Sequence, residues 1–113
     1  MKKYTMKSVR VSKMNNLVKI KGYIGLARKS QSALIGGDNI EVYSKKIHLI
    51  IMSDDAGKNL VKNMERIKDN QDVPLLVFTK EEMVAITDLV SCKAIAIKDK
   101  GLAEQIIKLS NKE

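Results

Sequence analysis

The chain has 113 residues, a formal net charge of +8, 44% hydrophobic and only 4% aromatic side chains. That length accommodates one domain with a single core, packed by Ile, Leu, Val and Met. A lone cysteine, Cys92, and a lone histidine, His48, exclude an intrachain disulfide and a Cys/His zinc set, so no metal or other cofactor is expected. No apolar run approaches the roughly 18 residues of a membrane span, and Lys2-Lys3 is not followed by the apolar core of a signal peptide. The expected location is therefore cytoplasmic, with no membrane partner.

The surplus charge lies at one end. Residues 1–37 contain nine Lys or Arg and no Asp or Glu, whereas the remaining residues carry twelve basic and thirteen acidic side chains. A basic surface on one side of a small domain attracts polyanions in a salt-dependent way, which makes nucleic acid the leading partner class. Solubility alone is the competing explanation of a Lys-rich terminus.

Residues 1–13 show no amphipathic period and read as a basic arm, either disordered or paired as an edge strand. A single domain is expected over residues 14–113. Leu17, Ile20, Ile24 and Ala27 then recur at helical spacing, with Lys19, Lys21, Arg28 and Lys29 around them, predicting a helix with a basic exposed side from Met14 to Lys29. The short apolar piece Ala33-Leu34-Ile35 meets Gly36-Gly37-Asp38-Asn39, a turn opening a short helix over Asp38 to Lys45. Ile47 to Met52 is apolar and β-branched enough to be a strand covered on both faces, the expected centre of a sheet.

Asp54-Asp55-Ala56-Gly57 closes that strand and starts a helix whose Leu60, Val61, Met64 and Ile67 face inward, with Lys58, Lys62 and Arg66 as a separate stripe. Asp72-Val73-Pro74 ends it. Leu75 to Phe78 is a second buried strand, and Thr79 with Glu82 forms a capping box before Met83, Val84 and Ile86. Leu89 to Cys92 bridges to the strand Ala94 to Ile97, and Asp99-Lys100-Gly101 leads into a last helix carrying Leu102, Ile106 and Leu109. This alternation predicts an α/β fold: a three-layer α/β/α sandwich around a small mixed, mostly parallel sheet of about four strands.

Catalytic constellations are missing. The Gly36-Gly37-Asp38-Asn39 turn lacks the spacing and lysine of a nucleotide-binding loop, and His48 lies within an apolar strand. Cys92 reads as a small buried hydrophobe or passive thiol, and Ser53-Asp54-Asp55 as helix-capping acids in preference to a metal pocket. No enzymatic activity and no small-molecule substrate is expected. For binding, Gly36 and Gly37 would admit an RNA backbone closely, with Asp38, Asn39 and Glu41 as polar groups beside them. A glycine turn that merely caps a helix accounts for the same residues.

Gly25-Leu26-Ala27-Arg28-Lys29, the Gly36-Gly37-Asp38-Asn39 turn, and Leu49-Ile50-Ile51-Met52-Ser53-Asp54-Asp55-Ala56 together resemble the ribosomal protein L-seven-Ae/L-thirty-e family, in particular its small bacterial YlxQ-type members. Asn59, Lys62, Val73-Pro74 and Asp99-Lys100-Gly101-Leu102-Ala103 extend the resemblance over about Asn15 to Lys108. It implies an α/β/α fold and binding to kink-turn RNA, on or off the ribosome; separately, a monomer is expected. The resemblance also implies that the glycine turn reads sheared G·A pairs and that an apolar loop packs on an extruded base. Carried over, Gly37 and Asn39 match the turn, Gly36 is the alternative glycine, and Leu89, Val90 and Ser91 fall in the apolar loop. Arg28, Lys29, Lys45 and Lys46 are the expected phosphate contacts.

The chain departs from the family at several positions. Ile40 stands where the family has glutamate, Val42 and Tyr43 replace a threonine-lysine pair, and Lys29-Ser30-Gln31-Ser32 replaces Arg-Ala-Gly-Lys. Glu41, Lys45 and Lys46 would compensate only by shifting one position. The alternative function is a protein-interaction module of the same fold that has lost specific RNA reading.

Overall fold

The computed structural model describes residues 6–8 and 14–110. In chain order it contains β1 (Met6–Ser8), α1 (Met14–Lys29), β2 (Ala33–Ile35), α2 (Gly37–Val42), β3 (Leu49–Ser53), α3 (Lys58–Gln71), β4 (Leu75–Phe78), α4 (Lys80–Thr87), β5 (Ala94–Ile97) and α5 (Lys100–Ser110). The sheet order is β1-β4-β3-β5-β2. β1 and β3 pair parallel with β4, while β5 runs antiparallel to both β3 and β2. Four strands thus share a direction and β5 opposes them.

The three strands read from the sequence and the short apolar piece Ala33–Ile35, which becomes β2, form the body of this mixed sheet. The fifth, Met6–Ser8, comes from the basic arm and pairs as an edge strand through Met6↔Leu75, Lys7↔Leu76 and Ser8↔Val77. The rest of the expected arm lies outside the described residues.

Two apolar clusters cover the sheet's two faces. On one, Ile20, Ile24 and Ala27 of α1, Met83 and Ile86 of α4, and Ala103 and Ile106 of α5 pack on Leu49, Ile51, Leu76, Phe78, Ile95 and Ile97. On the other, Ile40 of α2 and Met64 of α3 pack on Ile50, Met52, Leu75, Ala94 and Ala96. Alternate residues of β3 therefore serve opposite faces, as the two-residue strand period requires, and every residue of that strand is buried.

Local signals explain most boundaries. Thr79 Oγ1 accepts from the Glu82 N–H at 3.1 Å while Glu82 accepts from the Thr79 N–H at 2.9 Å, completing the capping box that starts α4. α3 and α4 end at Asp72 and Asp88, both left-handed, a conformation that Asp tolerates better than most residues. α2 is shorter than expected: it stops at Val42, and Tyr43 is extended instead of helical. Tyr43 takes part in the α2/α3-side core, its ring lies 5.0 Å from the Lys98 ammonium, and Ile47 must reach the core, so the chain leaves the helix early.

Candidate nucleic-acid interface

Strand direction decides which loops meet. β2, β3 and β4 end at the same edge at which β5 begins: Gly36 N–H donates to Ala94 O at 2.9 Å, Ser53 N–H to Lys93 O at 2.9 Å, and Asp54 N–H to Phe78 O at 2.8 Å. The turn after β2 and the loop before β5, more than fifty residues apart in sequence, become neighbours there. Between them lies an open groove of about 600 Å³ lined by Ile35, Gly36, Gly37, Asp38, Asn39, Leu60, Leu89, Ser91, Cys92 and Lys93. Its apolar lining comes from Ile35, Leu60, Leu89 and Cys92, and its polar groups from the glycine turn, Ser91 and Lys93.

The two glycines have different reasons to be glycine. Gly36 has φ +90°, on the side of backbone space that L side chains rarely adopt, and it precedes α2 without a side-chain cap. Gly37 has ordinary φ, and a Cβ there would meet the tip of the Leu60 side chain of α3, which would have to shift to admit it. Asn39 is exposed, and its Nδ2 donates to Ile35 O at 2.7 Å. That bond fixes the amide and leaves Oδ1 free to accept.

Several expected site residues have other commitments. Ile40, at the position where the resembled family has glutamate, is buried at 2% exposure in the core between α2, α3 and the sheet. Glu41 Oε2 accepts from Asn63 Nδ2 at 2.9 Å, which ties α2 to α3 and turns the carboxylate from the turn. Arg28 donates from Nη1 to Thr87 O at 3.0 Å, closing the C-terminus of α4 against α1. Lys29 is exposed at the end of α1, and Ser32, which follows, meets Lys98 N–H at the opposite end of β2 from Gly36. β2 has three residues, so this separation is about 10 Å.

Lys45 and Lys46 lie at that opposite edge as well. Lys46 Nζ donates to Gln71 O at 2.8 Å, Gln71 donates to Lys45 O at 3.2 Å, and His48 N–H donates to Ile97 O at 2.8 Å. The sheet separates these two lysines from the groove. The structure thus gathers Gly36, Gly37, Asp38, Asn39, Leu89 and Ser91 in one place, with exposed Val90 in the rim loop and Arg28 beside it, bonded to Thr87 O and near enough to act on the Cys92 thiol, and puts Lys29, Glu41, Lys45 and Lys46 elsewhere.

Solved structures share this architecture, two of them as follows. A protein with unknown function from Bacillus halodurans matches with a TM-score of 0.71 and 22% identity, covering 83% of this chain and 98% of that one. The 15.5kD RNA binding protein of Giardia lamblia matches with a TM-score of 0.64 and 14% identity, covering 88% of each chain. No protein-family model and no curated protein matches the sequence. At these identities the likeness establishes the α/β/α fold.

Sequence reasoning missed four groove residues, the apolar Ile35, Leu60 and Cys92 and the charged Lys93. Its Nζ lies 2.7 Å from Asp55 Oδ2, and Ser53 Oγ donates to the other carboxylate oxygen. The hydrogen bond from Lys93, then that from Ser53, holds the Asp55 carboxyl below the ordinary carboxylate value. Lys93 is isolated from other basic residues in sequence, and only the antiparallel entry of β5 reveals it. Cys92 is buried at 8% exposure, its thiol donates to Ala94 O at 3.4 Å, and burial pushes its pKa up. Among the described residues no group of three His, Cys, Asp or Glu is placed to hold a metal ion, and no helix is long and apolar enough to cross a membrane.

Proposed function

We propose that this protein binds structured RNA through the groove between the Gly36–Asn39 turn and the Leu89–Lys93 loop, without catalysis of its own. The observation that carries the reading is the convergence of those two segments at one sheet edge. Shape-specific RNA recognition needs bare backbone and a polar side chain for base edges, together with an apolar surface for an unstacked base. Gly36, Gly37 and the free Oδ1 of Asn39 meet the first need, and Leu89, Ile35 and Leu60 the second. The RNA-binding function of the Giardia lamblia protein of the same fold supports the assignment. A kink-turn, which combines a bent backbone with an extruded base, fits this pair of surfaces. The ribosome is the cellular context suggested by the sequence resemblance.

The decisive experiment measures binding to a kink-turn RNA and to a straight duplex of equal length, each at low and physiological salt. Kink-turn binding that survives physiological salt while duplex binding is lost supports shape-specific recognition. Equal binding to both, erased by salt, leaves only a basic surface.

One observation favours the protein-interaction reading: Val18 and Leu26 are 61% and 53% exposed and lie on one stripe of α1 with Gly22, beside Tyr23 and Leu109. If that stripe were the working surface, Leu26→Ser would abolish partner capture and leave RNA binding intact.

A further inference from the structure

The lining of the groove carries no excess of positive charge, and its nearest further cations, Arg28 by Cys92 and Lys80 by Asp55, stand beside it. Among the described lining residues Lys93 is the one cation, Asp38 is an anion, and Asp55 stands against Lys93. A polyanion would gain little there from bulk attraction, although the whole chain carries +8.

Lys93 is also held more firmly than a surface lysine. Asp55 sits in a turn closed by Ala56 N–H donating to Ser53 O at 3.2 Å, and its own N–H donates to Ser53 Oγ at 3.4 Å. Ser53 is 1% exposed, so the oxygen that orients Asp55 is part of the core. Side-chain exposures of 34% for Lys93 and 36% for Asp55 leave the pair reachable from the groove yet partly shielded from water. One of the three ammonium donors is spent on Asp55, and the others remain for an acceptor in the groove.

Resting on the RNA-binding reading above, we propose that Lys93 is the phosphate contact of the groove and that Asp55, fixed by Ser53, is its positioning residue. The pinned ammonium meets a phosphate only where a bent RNA strand brings one into the groove. The Asp55 charge balances Lys93 against polyanions of any other shape. Asp55 thereby lowers affinity for straight duplexes, and specificity comes from an ion pair that does not strengthen binding in general.

The test compares the wild-type protein with Asp55→Asn, Lys93→Ala and the double variant, using a kink-turn RNA and a straight duplex across a salt series. Asp55→Asn should tighten duplex binding by about three- to tenfold and steepen its salt slope by roughly one unit, reducing the preference for the kink-turn. Lys93→Ala should weaken kink-turn binding about tenfold, through the lost contact and the uncompensated Asp55 beside it, and duplex binding much less, because a straight duplex brings no phosphate into the groove. The double variant should recover part of that loss, the non-additivity expected of a coupled pair. Lys93→Gln, which preserves the stem, controls for packing, and thermal melting of each variant controls for folding.

An unchanged preference in Asp55→Asn, or equal weakening of both RNAs in Lys93→Ala, would overturn the proposal. Failure of the wild-type protein itself to prefer the kink-turn would instead overturn the RNA reading on which it rests.

Discussion

The two edges of the sheet use the same kinds of residue to different ends. At one, Gly36–Asn39, Leu89–Lys93 and Ser53–Asp55 leave an open groove with unspent polar groups. At the other, Lys45, Lys46 and Gln71 are joined by hydrogen bonds that close α3 against the entry to β3. Lysines that look alike in the sequence thus line an open groove at one edge and act as fastenings at the other. The difference arises because a loop that donates its polar atoms to neighbouring backbone has few left for a ligand.

The largest expected effect would break both edges together. Ile51 is fully buried in β3, whose ends reach both, and Ile51→Ala should lower unfolding stability by about 2–5 kcal/mol in a denaturant titration, with no selective change at either edge. Gly36→Ala should confine its damage to the groove, costing about 1–3 kcal/mol because alanine resists the φ of +90°. It should lower Tm and weaken kink-turn binding in parallel, whereas Ile51→Ala should lower Tm alone under conditions where the protein remains folded.

Asn39→Ala sharpens the contrast without strain. It should cost about 1–3 kcal/mol of kink-turn affinity and reduce discrimination against the duplex, since base-edge contacts specify. Lys46→Ala, at the other edge, should change affinity for both RNAs less than twofold while loosening the Gln71 contact, as read by hydrogen exchange. Lys29→Ala should weaken all RNAs similarly and lower the salt slope by slightly less than one unit if that exposed lysine meets phosphate.

The smallest effect is acid-linked. Because the folded Asp55 carboxyl is held below its ordinary value of 3.8, its contribution to stability is fully present above that value and is lost as pH falls through the lower folded value. The Tm difference between wild type and Asp55→Asn should therefore stay constant from neutral pH down to the ordinary carboxylate range, then vanish below it. For Cys92, whose burial favours the protonated thiol, alkylation at neutral pH should be slow, and bound RNA should slow it further.

Much of this architecture is legible in the chain. The 3.6-residue recurrence of Ile20, Ile24 and Ala27, the apolar runs at 49–52, 75–78 and 94–97, and the Thr79/Glu82 capping box report local geometry and burial, which neighbouring residues determine. The glycine turn and the apolar loop are visible too, as separate pieces. Two things were hidden. One is the early end of α2, which depends on Tyr43 and Ile47 being drawn into the core from outside the helix; the other is the choice for Met6–Ser8 between disorder and the edge pairing that the sequence left open, which the free edge of β4 decides.

The sequence by itself therefore determined the elements, the alternation that makes an α/β/α sandwich, and the basic excess that points to a polyanion. Only the tertiary structure decided which loops share an edge, and hence that Lys93 stands in the groove while Lys45 and Lys46 stand across the sheet from it. The physical reason is that periodicity and capping act over a few residues. The antiparallel entry of β5 between β3 and β2, by contrast, is settled by packing between segments more than forty residues apart.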